Sequence, residues 1–177
     1  MKRIYVIPLV LVFLWFWAGS SWSLSLEVNA SQVAEIRPSE ESEDVRFLVS
    51  FELPDTLEDK SIDFACVSFE ADCAGADGGV SFQGFAVTRA WEAKSVSWDG
   101  PWDKAGGDWD KRLSAYWISE AGSDKTVELD VTEFAKRWVK EPSANFGILV
   151  KVSGPFIGTF SPDKMHVPRL RILYSDK

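Results

Sequence analysis

The chain has 177 residues, of which 46% are hydrophobic, and its formal net charge is −8. This length and composition are typical of one globular domain with a sizeable core. The acidic balance argues against DNA, RNA or an anionic membrane surface as partners, because such surfaces are bound mainly through clustered lysine and arginine side chains.

The N-terminus has the three parts of a secretory signal peptide. Residues 1–3 are basic, residues 4–18 are almost wholly apolar, and residues 19–25 are small and polar. The apolar run is shorter than the roughly 20 residues that span a bilayer, which favours cleavage over a retained anchor helix. We expect cleavage after Ser23, leaving residues 24–177 as a single secreted or extracytoplasmic domain with no membrane contact beyond the export signal.

The two cysteines, Cys66 and Cys73, are predicted to form a disulfide. In an oxidising compartment, a close pair of cysteines most simply forms a structural bridge. A metal site is disfavoured, because the Cys-x6-Cys spacing is not that of a metal finger and the single histidine, His166, is distant in sequence.

Patterns typical of β-strands fill the first half of the mature chain. Residues 26–36 are predicted to hold one or two short strands. Residues 45–53 alternate apolar and polar side chains, which predicts a strand with one buried face. Residues 61–69 are apolar on both faces, which predicts a central strand. Further short strands are predicted at residues 80–88, 95–98 and 113–118.

Between the last two of these strands, residues 99–112 are rich in Asp, Gly and Trp and are predicted to form a long irregular loop. The loop carries Trp102 and Trp109. Such tryptophans either present a platform to a ligand or fold back over the domain as plugs. The pattern leaves both alternatives open.

The C-terminal third predicts one short helix followed by closing strands. Residues 126–129 form a strand, and Asp130 with Glu133 makes an N-terminal capping signature. The helix covers about residues 131–140, with Val131, Phe134, Ala135 and Trp138 on one face, and Pro142 ends it. Closing strands are predicted at residues 145–152, 156–160 and 169–174.

About nine strands joined by connections too short for parallel crossovers predict an all-β fold. We expect an antiparallel β-sandwich of jelly-roll type with one short α-helix.

Several short motifs follow one another between residues 45 and 174. They are Arg46-x-Leu48-x-x-Phe51-x-Leu53, Trp91-Glu92 with Val96-Ser97-Trp98 and Pro101, Asp130-Val131-Thr132 with Trp138, Asn145-x-Gly147-Ile148-Leu149, Phe160-Ser161 and Pro168-x-Leu170-x-Ile172-x-Tyr174. In this order they resemble the DNRLRE domain family, which overlaps the family-96 carbohydrate-binding modules. The resemblance implies a secreted jelly-roll sandwich, usually appended to larger extracellular proteins, with alginate-type polysaccharide binding in some members.

Catalysis has little support in the sequence. A Ser/His/Asp set is not credible with His166 as the single histidine. No pair of carboxylates has a spacing that predicts a two-carboxylate glycosidase. We therefore expect a protein that is not an enzyme.

Polysaccharide binding is the leading functional hypothesis, including binding of a chain that carries uronic acids. Sugars stack their apolar faces on tryptophan, and cations bind sugar carboxylates. The alternative is a structural or protein-interaction module of the cell surface without sugar binding. The candidate ligand-binding residues are Trp102, Trp109, Trp117, Lys104, Lys111 and Arg112, while Trp91, Trp98 and Trp138 are expected in the core.

No cofactor is expected, although a structural calcium ion is a minor hypothesis. Calcium prefers carboxylate and carbonyl oxygens, and the loop region supplies several carboxylates. Their spacing matches no defined calcium loop, and aspartates in solvated turns are the commoner alternative. The weak candidates are Asp99, Asp103, Asp108 and Asp110. The sequence leaves the glycan and the oligomeric state open.

Overall fold

The computed structural model describes residues 23–71, 79–119, 126–154 and 167–177. These residues form nine strands and one α-helix. The strands are β1 (Leu24–Asn29), β2 (Gln32–Ile36), β3 (Arg46–Ser50), β4 (Lys60–Glu70), β5 (Val80–Val87), β6 (Trp109–Ser119), β7 (Thr126–Asp130), β8 (Ile148–Ser153) and β9 (Arg169–Asp176), and the helix is α1 (Thr132–Lys140). Short 3-10 turns lie at Asp55–Leu57 and Pro142–Ala144.

The strands form two antiparallel sheets in jelly-roll order. The four-stranded sheet has the order β1-β9-β4-β7, and the five-stranded sheet has the order β2-β3-β8-β5-β6. From β6 onward each successive strand joins the opposite sheet, so the chain crosses repeatedly between the two layers. The predicted all-β sandwich with one short helix is confirmed.

The interior core lies between the two sheets, where alternate side chains of each strand point inward. Phe47 of β3, Phe82 of β5 and Leu129 of β7 are fully buried there. Helix α1 covers this core with Phe134 and Trp138, whose rings meet edge to face with centroids 6.0 Å apart. The predicted inward face of the helix is confirmed.

A second apolar cluster, the outer core, lies on the other face of the five-stranded sheet. The connection between β5 and β6, residues 88–108, folds over this face and buries Trp91 and Trp102 against Leu48 of β3 and Leu149 of β8. As a result, β3 is buried on both faces. The prediction that this strand has one exposed face was wrong, because alternation within a strand does not show what a distant loop covers.

The same connection accounts for two further corrections. Residues 95–98, predicted to be a strand, lie outside the regular elements, and Val96 and Trp98 pack onto the outer core. Strand β6 begins at Trp109, within the stretch predicted to be a loop. Its register against β5 jumps from Phe85 opposite Ser114 to Ala86 opposite Asp110. The resulting bulge interrupts the alternation that would have revealed the strand.

Helix α1 begins one residue later than its sequence signature indicated. Oδ1 of Asp130 accepts hydrogen bonds from the backbone N–H of Thr132 at 3.0 Å and from its hydroxyl at 2.6 Å. Val131 occupies the N-cap position and makes no side-chain cap. The acidic side chain therefore satisfies the first helical N–H from just outside the helix.

The predicted disulfide between Cys66 and Cys73 is not formed in this structure. Cys66 is a free, buried cysteine within β4, between Asp130 of β7 and Arg171 of β9. The strand continues to Glu70, so the extended backbone leads away from the thiol. Burial raises the pKa of the Cys66 thiol to about 11, which leaves it almost wholly protonated at neutral pH. Cys73, His166, residues 1–22 of the predicted signal peptide (residues 1–23) and the predicted strand at residues 156–160 lie outside the described residues.

Candidate functional site

The loop over the outer core is held in place by polar contacts. The Asp108 carboxylate accepts hydrogen bonds from the backbone N–H groups of Asp103, at 2.8 Å, and Lys104, at 3.3 Å. Arg89 forms ion pairs with Asp108 at 3.0 Å and with Asp103 at 2.5 Å. These contacts join the start and the end of the loop, so its shape is set by hydrogen bonds as well as by apolar packing.

Arg46 of β3 lies beneath the loop as a buried cation, 7% exposed. Its Nη1 donates to the carbonyl of Gly106 at 2.6 Å, and its Nη2 pairs with Asp44 at 2.8 Å. The guanidinium lies 4.3 Å from the ring centroid of Trp98 and 5.3 Å from that of Trp109. The buried charge is therefore compensated by a carboxylate, a carbonyl and two aromatic rings.

Two glycines bring the loop close to the sheet. Gly106 and Gly107 have φ angles of 86° and 109°, which side-chain-bearing residues rarely adopt. A Cβ atom at Gly106 would collide with the guanidinium of Arg46, and one at Gly107 would lie 2.5 Å from a methyl group of Leu149. The close approach of loop and sheet thus requires glycine at both positions.

The three predicted sugar-binding tryptophans lie in three different environments. Trp102 is 8% exposed and donates its Nε1–H to the carbonyl of Ser97 at 2.9 Å. Trp117 lies opposite Phe82 and packs against the interior core. Trp109 is half-buried and packs on Phe85, with ring centroids 5.7 Å apart. Trp102 thus folds onto the sandwich, which is one of the two alternatives for the loop tryptophans. Of the three, only Trp109 borders a groove that lies between the loop and β6.

A groove of about 510 Å³ opens beside Trp109 between the loop and the start of β6. We call it the Trp109 groove. Lys104 of the loop and Lys111 of β6 line it, together with Arg89. The structure therefore brings together three of the six predicted ligand-binding residues, which are Trp109, Lys104 and Lys111.

Arg112 does not belong to this groove. Its side chain is 87% exposed and binds Asp110, with Nη2 and Oδ2 2.9 Å apart. Asp110, whose side chain is 10% exposed, also pairs with Arg137 of α1 at 3.3 Å. Hydrogen bonds from the Arg112 side chain and backbone hold the pKa of Asp110 well below its usual range. Arg112 instead borders a second groove, of about 550 Å³, beside the start of α1.

Three of the four carboxylates proposed as calcium ligands form ion pairs with arginine side chains. Asp103 and Asp108 bind Arg89, and Asp110 binds Arg112 and Arg137, while Asp99 is exposed. Within the described ranges, no three His, Cys, Asp or Glu side chains are grouped to hold a metal ion.

Neither Arg46 nor Arg89 is among the predicted site residues, although both line the Trp109 groove. Alternation placed Arg46 on the strand face that was predicted to be exposed, and Arg89 falls between the predicted strands at residues 80–88 and 95–98. Arg46 and Trp98 belong to two separate motifs of the family resemblance, and the contact between them depends on the path of the loop.

Comparison with known proteins identified no relative in sequence, since no family model and no curated protein matches the chain. Among solved structures, the chain is similar to one from the full particle of Israeli acute paralysis virus heated to 63 degrees. The match covers 89% of this chain and 60% of the viral chain, at 10% identity and a TM-score of 0.28. At this TM-score we draw no conclusion about function from it. In the part of the chain that is described, no helix has the length and apolar character needed to cross a membrane.

Proposed function

We propose that this protein is a secreted, non-catalytic module resembling the DNRLRE domain, and that it binds an acidic polysaccharide in the Trp109 groove. One observation carries the proposal: a half-buried indole borders a groove with two lysines, Lys104 and Lys111, that form no ion pair within the described residues.

The charge of the groove supports an anionic ligand. Four cationic side chains and two carboxylates line it, in a chain whose net charge is −8. Arg46 and Arg89 are already paired with aspartates of the loop and its surroundings. Lys104 and Lys111 remain available to bind carboxylate groups on sugars.

The indole of Trp109 supports a sugar rather than a simple anion. The apolar face of a pyranose ring stacks on an aromatic ring, and polar groups at the edge of the contact then fix its orientation. The groove is also preorganised, because Asp108 and Arg89 hold the loop before any ligand arrives. A rigid site loses less conformational freedom on binding than a flexible one.

Affinity electrophoresis in gels containing alginate, pectin or a neutral glucan tests the proposal. We expect retardation by an acidic polysaccharide, weakening as salt is added because the contact is partly ionic. The double variant Lys104→Ala/Lys111→Ala should weaken binding about tenfold, which corresponds to about 1.4 kcal/mol. It should leave the fold intact, because both lysines are exposed.

The matched control is Lys94→Ala, which removes one charge from an exposed turn residue that does not line the groove and should bind like the wild type. Trp109→Ala should abolish retardation, and its folding is checked separately by circular dichroism because the ring also packs on the outer core. Wild-type protein that migrates unretarded in every gel would reject polysaccharide binding for those ligands.

The burial of Trp102 favours a second candidate, a structural or protein-interaction module without sugar binding. Its ring contributes to folding rather than to a ligand platform. In this case the groove is a by-product of loop packing. Variants of Trp102 and Trp109 would then lower stability, while the wild-type protein would show no retardation in any gel.

A further inference from the structure

Four side chains form a straight row across the outer face of the five-stranded sheet. Arg46 of β3 lies opposite Lys151 of β8, Lys151 lies opposite Gln83 of β5, and Gln83 lies opposite Tyr116 of β6. Their neighbours along each strand point into the interior core, so these four point outward.

The loop covers only one end of this row. At the covered end, Arg46 is buried beneath Trp98. At the open end, Tyr116 is 59% exposed, and Ile118, the next outward residue of β6, is 60% exposed. Lys151 and Gln83 are half-buried between the two ends. The row therefore passes from the covered outer core to an open strip of sheet.

An aromatic ring lies towards each end of the exposed part of the row. The ring centroid of Trp109 is 5.6 Å from Nζ of Lys151. Neighbouring strands are about 4.8 Å apart, so Tyr116, two strands from Lys151, lies about 10 Å along the row. The outer face thus has two polar side chains, Lys151 and Gln83, between the ring of Trp109 and Tyr116, and Tyr116 itself lines the second groove beside α1.

We propose that Tyr116 is a second stacking platform and that a polysaccharide chain crosses β8, β5 and β6, from the ring of Trp109 beside Lys151 of β8 to Tyr116 of β6. This inference rests on the proposed function and extends its site. Lys151 and Gln83 supply hydrogen-bond donors to sugar hydroxyl or carboxylate oxygens between the two rings. The site therefore selects chains long enough to reach both rings.

The composition of the strip favours a glycan over a protein partner. The surface around Tyr116 and Ile118 includes Gln83, Lys151 and Ser81, which break the apolar area into separate patches. Protein interfaces usually have a continuous apolar centre, whereas sugar sites combine isolated aromatic rings with polar groups.

Titration calorimetry with oligosaccharides of increasing length tests the inference, using fragments of whichever acidic polysaccharide retards the wild-type protein. We expect the affinity to rise with length and then to level off once both rings are covered. Tyr116→Ala should leave the shortest fragments unaffected and weaken the longest about fivefold to tenfold, as expected for one lost aromatic contact.

Two variants sharpen the result. Tyr116→Phe should bind like the wild type, since it retains the ring. Ile118→Ala removes an equally exposed side chain from the same strand and should also leave binding unchanged.

If Tyr116→Ala binds long fragments like the wild type while Lys104→Ala/Lys111→Ala remains weak, the second platform is rejected and the groove proposal stands. If no polysaccharide binds the wild type, both proposals fail. If Tyr116→Ala changes only the sedimentation coefficient, the strip is a self-association surface and the inference is overturned.

Discussion

The two apolar clusters of this domain are built on opposite principles. The interior core uses side chains from both sheets and from α1. Its buried members are aliphatic residues and phenylalanines, together with Trp138. The outer core uses one face of one sheet, the long connection between β5 and β6, and Phe146 from the connection before β8, and it encloses the cation Arg46. The first is specified by alternation along the strands, whereas the second depends on a loop that returns to the sheet.

This difference implies unequal stability. The interior core is closed on both sides by regular hydrogen-bonded sheets. The loop of the outer core is held by Arg89, Asp108 and Arg46, through contacts that involve partly exposed side chains. Local opening of a protein starts where buried contacts are few. We therefore expect the loop to open without unfolding of the sandwich.

The largest expected effect belongs to the interior core. Trp138→Ala should lower the free energy of unfolding by about 3–5 kcal/mol, because it leaves a large cavity beneath α1. Trp102→Ala, in the outer core, should lower it by about 2–3 kcal/mol. Urea denaturation followed by circular dichroism measures both. Equal losses for the two variants would contradict the proposed ranking.

An intermediate effect is expected when the cation of the outer core is removed. Arg46→Met retains much of the side-chain volume but leaves the Gly106 carbonyl without its donor, at about 1–3 kcal/mol. Hydrogen exchange should accelerate in residues 99–108 and remain unchanged in β4. Faster exchange in β4 would show instead that the two cores open together.

The smallest effect concerns the link between β6 and α1. The pKa of Asp110 is depressed on folding, so its ion pairs stabilise the protein above the unfolded-state value of about 3.9 and lose that contribution as the pH falls below it. Asp110→Asn should therefore reduce stability at pH 7 by at most about 1 kcal/mol, because Arg112 is solvent-exposed.

The same substitution should make the acid side of the stability profile flatter than that of the wild type. Thermal melts between pH 2 and pH 7 give the comparison, with Asp99→Asn as the control for loss of an exposed loop carboxylate. If the melting temperature of Asp110→Asn falls as steeply at acid pH as that of the wild type, the acid sensitivity belongs to other carboxylates.

Much of the sandwich could be predicted from local pattern. The apolar run of β4, the buried face of α1 and the short connections each follow from the spacing of side chains within a few residues. The outer core could not be predicted in this way. Its assembly joins Arg46 to Gly106 across 60 positions of sequence, and no periodicity reports such a contact.

The candidate site shows the same division. Trp109, Lys104 and Lys111 are close in sequence, and their residue types were sufficient to suggest an anionic sugar ligand. The inward turn of Trp102 could not be predicted, because a hydrogen bond to Ser97 and the packing of the loop decide it. Tyr116 was missed because its neighbours across the sheet, rather than along the chain, place it in one row with Gln83 and Lys151.

The strand order also has a consequence for how the protein is made. Of the seven neighbouring strand pairs in the described ranges, only β2–β3 and β5–β6 join consecutive strands, and β1 pairs with β9. Most contacts therefore close long loops, which is the pattern of slow folding, on the millisecond-to-second scale. The four-stranded sheet cannot close until β9 has been synthesised. For the exported protein proposed above, this topology would keep the sandwich from closing, and so keep the nascent chain competent for translocation, until β9 has been synthesised.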